Sequence, residues 1–251
     1  MSRTFESRLS DHDEESISFR EKDLATEVLG EMTFTQTLYY MWTGEEPTPE
    51  EEEVLDAMLS SLMVHGITPS SIVSRLTLVT EPDAVQNSVA NAVNGVGSRF
   101  IGTMKECAED LETLAAADDR EAAVQELVDD YQDRGDNFAG IGHPDFDPED
   151  PRAQTFFELA EDADVAGEHI DIIHDVQVEF EDRTGLTLPI NATGAIAAVT
   201  LDMDLPPTAA RGFAIVSRAT GVVAEILEEE QNPMAFDIWQ EIDEQVTHPD
   251  E

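Results

Sequence analysis

A chain of 251 residues with 41% hydrophobic content is long enough for one large or two small domains, and too apolar to be a disordered acidic tail. Its 56 Asp and Glu residues against 13 Lys and Arg leave a formal charge of −43, which excludes nucleic acid and anionic membranes as partners. The acidic excess runs along the whole chain, so the protein is expected to be soluble, intracellular and adapted to a salt-rich cytoplasm that screens its self-repulsion.

The reading is helical almost throughout. Residues 1–20 are polar and acidic and are expected to form a poorly ordered tail, unlike a secretion signal. Met32, Phe34, Leu38, Tyr39 and Trp42 recur at helical spacing, and Gly44 ends that run. Thr48, Pro49 and Glu51 predict a capped helix start. Val54, Leu55, Met58, Leu59, Leu62 and Met63 would be its buried stripe, with His65 at its C-terminal end and Gly66 closing it. Thr68-Pro69 and Glu81-Pro82 predict two more starts; the second helix carries Val85, Val89 and Val93 to a small-residue segment at 94–98. Cys107, the sole cysteine, lies in a helical run as a small buried residue, and no internal disulfide is possible.

Asp118 or Asp119 starts a helix through Tyr131. Residues 134–151 form the longest Gly/Pro/Asp-rich loop and are the functional candidate on that ground alone. Helices around Phe156, Phe157 and Leu159, then Ile170, Ile173, Val176 and Phe180, run to Gly185, and 186–194 reads as a connector. Pro207 opens a helix through about Glu229 and Pro233 opens the last one. Period-two alternation is confined to a few residues near 186–189, no repeat is present, and no apolar run approaches a membrane span, so the fold class is all-α.

Gly140-Ile141-Gly142-His143 places a proton-transfer group on a loop that two glycines leave bare, and Asp150-Pro151-Arg152 sets an arginine where a helix begins. Arg152 and Arg218 each offer a planar fork to a carboxylate. Two histidines and several arginines in one pocket would suit a small polycarboxylate. Other readings stand beside these. His65 could be a helix cap, Arg152 could pair with a neighbouring acid, and Arg99 could belong to a buried ion pair. His12 and His248 lie near the termini and are read as inert. His169 and His174 lack metal-site spacing, so no metal is expected.

Jointly these segments resemble the citrate synthase superfamily over about residues 19–235, and its short citryl-CoA lyase branch in particular, with similarity also to the C-terminal module of ATP-citrate lyase. The stretch Phe19-Arg20-Glu21-Lys22-Asp23-Leu24 resembles the entry motif, and Met63-Val64-His65-Gly66 resembles the Asp-His-Gly segment. Gly97-Ser98-Arg99-Phe100 looks like the lyase branch, where true citrate synthases carry His-Gly-Gly. The 140–152 segment matches the second histidine motif, and Ser217-Arg218-Ala219-Thr220-Gly221 the late arginine motif.

The resemblance implies a citrate synthase-like fold and a cytoplasmic homodimer. A large helical domain (21–103 and 191–251) and a small one (104–190) would close over a cleft. It implies cleavage of citryl-CoA to acetyl-CoA and oxaloacetate, with a coenzyme A thioester as substrate and no permanent cofactor. By the same carry-over, His143 would take the hydroxyl proton and His65 would bind the polar end of the substrate. Arg152, Arg218 and Arg99 would hold carboxylates, and Gly140, Ile141 and Gly142 would lie by the thioester arm. The chain departs from the pattern at Thr193, where relatives carry an Asp that exchanges the methyl proton, at Val64 for Asp and at Pro144 for Arg. Asp202 and Asp204 are the acids nearest in sequence to the vacated position. The other functions open at this point are a catalytically weak CoA- or carboxylate-binding homologue, regulatory or a partner subunit, and a condensing citrate synthase-type acyltransferase.

Overall fold

The computed structural model describes residues 6–97, 101–136, 138–144, 146 and 148–247. Arg99, with its Ser98 and Phe100 neighbours, and His248 lie outside them. By contacts the chain falls into two compact units, Met1–Asp56 and Ala57–Glu251.

The first unit opens with a three-stranded antiparallel sheet, β1 (Ser10–His12), β2 (Ile17–Phe19) and β3 (Lys22–Asp23), in sequence order. The segment expected to be a disordered tail therefore carries two strands in its described part. Two- and three-residue strands are too short for alternation to show, but their turn is chemically specified. The Asp13 carboxylate accepts the amides of Glu15 and Ser16 at 2.8 Å each, and those bonds hold it below its ordinary pKa. A π-helical turn (Leu24–Val28) follows, then α1 (Phe34–Thr43). Thr33 and Gln36 form a capping box at its start. Gly44 ends it in the left-handed region, as the sequence predicts. Arg20 covers that end, donating from Nε and Nη2 to the Met41 carbonyl at 3.1 and 3.0 Å and from Nη2 to Trp42 at 3.1 Å.

α2 (Pro49–Ser61) begins at the expected Thr48–Glu51 box and contains the boundary between the units. It stops four residues before His65, which stands on an exposed loop; the expected helix-end placement does not hold. In the second unit α3 (Pro69–Thr80) is capped by Thr68 as predicted. α4 (Val85–Asn94) starts three residues beyond Pro82, because Glu81 and Ala84 first close a turn. α5 (Met104–Ala115) buries Cys107, whose thiol burial pushes far up. α6 (Arg120–Arg134), α7 (Pro151–Asp162) and α8 (Glu168–Thr184) follow, with Asp119, Asp150 and Gly185 at the predicted caps.

α9 (Ala192–Asp202) begins inside the segment read as a connector. It is buried on every side and packs against α5, α7, α8 and α10 (Pro207–Gln231). A helix apolar all round shows no amphipathic stripe, which is why periodicity does not find it. α11 (Ala235–Gln245) ends the described fold. Its start is held by Glu229, which accepts the Met234 and Ala235 amides and also pairs with Arg75, an arginine only 1% exposed, at 2.8 Å. No helix among the described residues is long and apolar enough to cross a membrane.

Candidate active site

A cavity of about 580 Å³ lies in the second unit. His65, His143, Arg152, Arg218 and Thr193 all line it, although they come from segments as far apart as residues 65 and 218. Among the described residues its wall carries no carboxylate.

The loop 138–146 brings His143 to the cavity. Its backbone is fastened to the entry of α9. The Gly142 amide donates to the Pro189 carbonyl at 2.7 Å, and the Asn191 amide donates to the Gly140 carbonyl at 3.0 Å. Asn191 also donates from Nδ2 to the Gly142 carbonyl at 2.8 Å while accepting from the Gly194 amide. Gly142 sits at φ +90°, so glycine is required there. Gly140 is needed for a different reason from the one expected. A Cβ there would stand 2.8 Å from Cys107 Sγ and from Gly194 Cα, so its bareness serves helix–loop packing. Gly140 does not line the cavity; Ile141 and Gly142 do, but their amides are spent on Phe138 and Pro189. The loop backbone thus offers the cavity fewer free amides than the sequence suggests.

The imidazoles of His65 and His143 face each other, with ring centroids 6.0 Å apart and planes 30° from parallel. His143 Nδ1 accepts the Phe146 amide at 3.3 Å. In a neutral ring this bond favours the tautomer with the proton on Nε2. The Phe146 ring lies 4.5 Å from the His143 ring and 5.3 Å from the Arg152 guanidinium.

The two arginines differ in state. Arg152, in the first turn of α7, is gripped by Asp150: Nε donates to Oδ1 at 3.0 Å and Nη2 to Oδ2 at 2.7 Å. Asp150 is 1% exposed and also accepts the amides of Arg152 and Ala192, so one carboxylate clasps the starts of α7 and α9 together. Burial pushes that carboxyl up, and the Arg152 fork with the two amides more than reverses this, holding it below its ordinary value. The pairing foreseen as an alternative for Arg152 is therefore present. Arg218, on α10, is 4% exposed, and its Nε and Nη1 have no partner among the described residues. Burial lowers its pKa, partly offset by the charge of Glu225 on the same helix. At Gly221, one turn on, a Cβ would run into the Met63 carbonyl, so α10 lies directly against the loop that carries His65.

Thr193 stands in the first turn of α9, between Ala192, whose amide donates to Asp150, and Gly194, whose amide donates to Asn191. Neither of the two acids nearest in sequence lines the cavity. Asp202, at the far end of α9, accepts the amides of Gly167, His169 and Ile170 and lies 2.7 Å from His169 Nδ1. Asp204 is exposed and absent from the cavity wall. Sequence reasoning missed Asn191, Phe146 and the tertiary role of Asp150. Asp150 was legible as a cap; its bond to Ala192, 42 positions away, left no local signal.

The family model for the citrate synthase C-terminal domain matches residues 15–239. The chain is 27% identical over 215 residues to a citrate synthase of Haloferax volcanii, an alignment covering 84% of this chain and 55% of that protein. The chain thus spans about half the length of that relative. The structure of citryl-CoA lyase from Hydrogenobacter thermophilus superposes with a TM-score of 0.82 at 28% identity, covering 93% of this chain and 90% of that one. ATP citrate lyase of Methanosaeta concilii shares the fold at 18% identity and a TM-score of 0.75, over 92% of this chain and 39% of that chain. With its helical architecture matched over nearly its full length, the chain belongs to the citrate synthase family.

Proposed function

We propose that the protein is a carbon–carbon lyase that cleaves a 3-hydroxy-3-carboxyacyl-CoA, with citryl-CoA the reference substrate and acetyl-CoA and oxaloacetate its products. The observation that carries this reading is the convergence of two imidazoles and two guanidinium groups in one cavity free of described carboxylates. Arg218 anchors a carboxylate of the substrate and Arg152 orients it. The tautomer of His143 favours a donor role, its Nε2–H stabilising charge on the reacting oxygen. His65, 6.0 Å away and without a hydrogen bond among the described residues, takes the hydroxyl proton. This exchanges the roles that the resemblance implies for the two rings. The positive end of α9 at Thr193 supports the thioester enolate. No permanent cofactor is needed for this chemistry. A homodimer, and closure of a small domain (104–190) over a large one (21–103 and 191–251), belong to the same proposal.

One observation favours a second reading. Thr193 lines the wall, and the resemblance implies an acid at its position, which suits a homologue that binds CoA thioesters and turns them over weakly. Oxaloacetate release from citryl-CoA in multimolar KCl, coupled to malate dehydrogenase, separates the two. Turnover that is lost in both His65→Ala and His143→Ala supports the lyase; calorimetric CoA binding without turnover supports the second reading.

A further inference from the structure

The carbonyl that immediately precedes His143 is held by a side chain rather than by backbone. It belongs to Gly142, at φ +90°, where the nearest atom that an added Cβ would meet is Leu188 Cδ1 at 4.0 Å. A glycine in open space lets the peptide plane joining it to His143 turn over at little cost. The backbone bonds between the loop and the entry of α9 stop short of that plane. They run from the Asn191 amide to the Gly140 carbonyl and from the Gly142 amide to the Pro189 carbonyl, beside a bridge between Ile141 and Ile190. Asn191 Nδ2 reaches the plane itself, donating to the Gly142 carbonyl at 2.8 Å and more weakly to the Ala139 carbonyl at 3.5 Å. Its Oδ1 accepts the Gly194 amide at 3.1 Å and so caps α9. Asn191 thus lines the cavity with a side chain whose donor serves the loop. One residue on, the Ala192 amide donates at 3.1 Å to Asp150, the carboxylate that grips Arg152. Two consecutive residues at the entry of α9 therefore hold both the His143 loop and the start of α7.

Resting on the lyase reading, we propose that Asn191 is a positioning residue. Its side-chain amide fixes the peptide plane between Gly142 and His143, and with it the arrangement in which the His143 ring faces that of His65. It acts through His143 and not on the substrate. The two ends of this side chain do separable work. Oδ1 caps a helix, a structural task that serine or aspartate performs about as well. Nδ2 tethers the loop, a task that needs an N–H at the reach of an asparagine amide. A serine that caps the Gly194 amide is too short for it, and an aspartate has no N–H to give. Arg218 stands on α10, apart from this tether, so its hold on a carboxylate does not depend on Asn191. Misplacing a proton-transfer group by about 1 Å costs on the order of 100-fold in rate, which makes the tether a matter for catalysis and not for stability alone.

The test uses the full chain in multimolar KCl and compares wild type with Asn191→Ser, which keeps the cap and loses the tether. Three quantities are read: the melting temperature, kcat and KM for citryl-CoA, and the nitrogen-15 NMR shifts of the His143 ring, whose signal is identified by its absence in His143→Gln. The serine variant is expected to melt within about 3 °C of wild type. Its kcat is expected to fall at least about tenfold while KM moves less than about threefold. The His143 ring, held with its proton on Nε2 in the neutral wild type, is expected to shift toward a mixture of tautomers. Asn191→Asp keeps the size and the cap but offers no N–H, and is expected to show the same NMR change; it serves if the serine variant folds poorly. Wild-type kcat with wild-type His143 shifts in a folded variant overturns the proposal. So does a fall in kcat that merely follows the melting temperature while the His143 signal stays in place. Absence of cleavage by a folded wild type would defeat the lyase reading instead, and the NMR comparison would still decide whether Asn191 sets the His143 ring.

Discussion

The burial of Arg218 works against the fold, and under the proposed function it serves the site. A guanidinium that is 4% exposed with unpartnered nitrogens is desolvated without a matching hydrogen bond. Arg218→Met keeps much of the volume and removes the charge, so the ligand-free variant is expected to melt at or above the wild-type temperature while kcat/KM falls about 100-fold. Equal losses of both in calorimetry and kinetics would mean that the arginine is structural. Asp150 behaves in the opposite way. Its carboxyl is held below the ordinary range by Arg152 and two amides, so its contribution is complete above the unfolded pKa of about 4 and is lost as pH falls through the lower folded value. Asp150→Ala is expected to cost about 2 kcal/mol at pH 7, measured by denaturant titration, and the difference from wild type should shrink below about pH 4.

Packing at the element scale explains both what the sequence discloses and what it hides. α9 threads between α5, α7, α8 and α10 with glycine at its closest approach, where a Cβ on Gly194 would strike the Gly140 carbonyl. Gly194→Ala is expected to destabilise the fold by about 1–3 kcal/mol and to shift the His143 loop, seen as a lower melting temperature together with a raised KM. Gly221→Ala acts on the His65 loop through the Met63 carbonyl and should lower activity more than Ala219→Gly on the same helix does. Helix starts with Ser/Thr/Asp caps or an N1 proline were legible because they are local chemistry, and Thr48, Thr68 and Asp150 all hold in the structure. The buried helix α9 and the two short strands were not, since one has no polar face and the others too few residues. The candidate site was legible as motifs. What it lacked was state: which arginine is paired, which imidazole nitrogen is occupied, and which amides are spent are tertiary facts.

Charge governs the molecule as a whole. With −43 formal charges, unfolding in dilute buffer relieves repulsion that salt would otherwise screen. The melting temperature is expected to rise by more than about 5 °C from dilute buffer to multimolar KCl, and a salt-independent melt would refute adaptation to salt. The same field repels coenzyme A phosphates, so KM for a CoA thioester should fall as KCl is raised. Against that background the proposed function has an anionic thioester enter the cavity whose described wall carries Arg152, Arg218, His65 and His143.

The most direct measurement of the central claim is the cleavage of a 3-hydroxy-3-carboxyacyl-CoA by the wild type and by Arg218→Met, side by side in multimolar KCl, with both products quantified. The account predicts stoichiometric acetyl-CoA and 2-oxo acid from the wild type and about 100-fold less from a folded variant. Equal turnover by the two proteins, or none from a folded wild type, would contradict it.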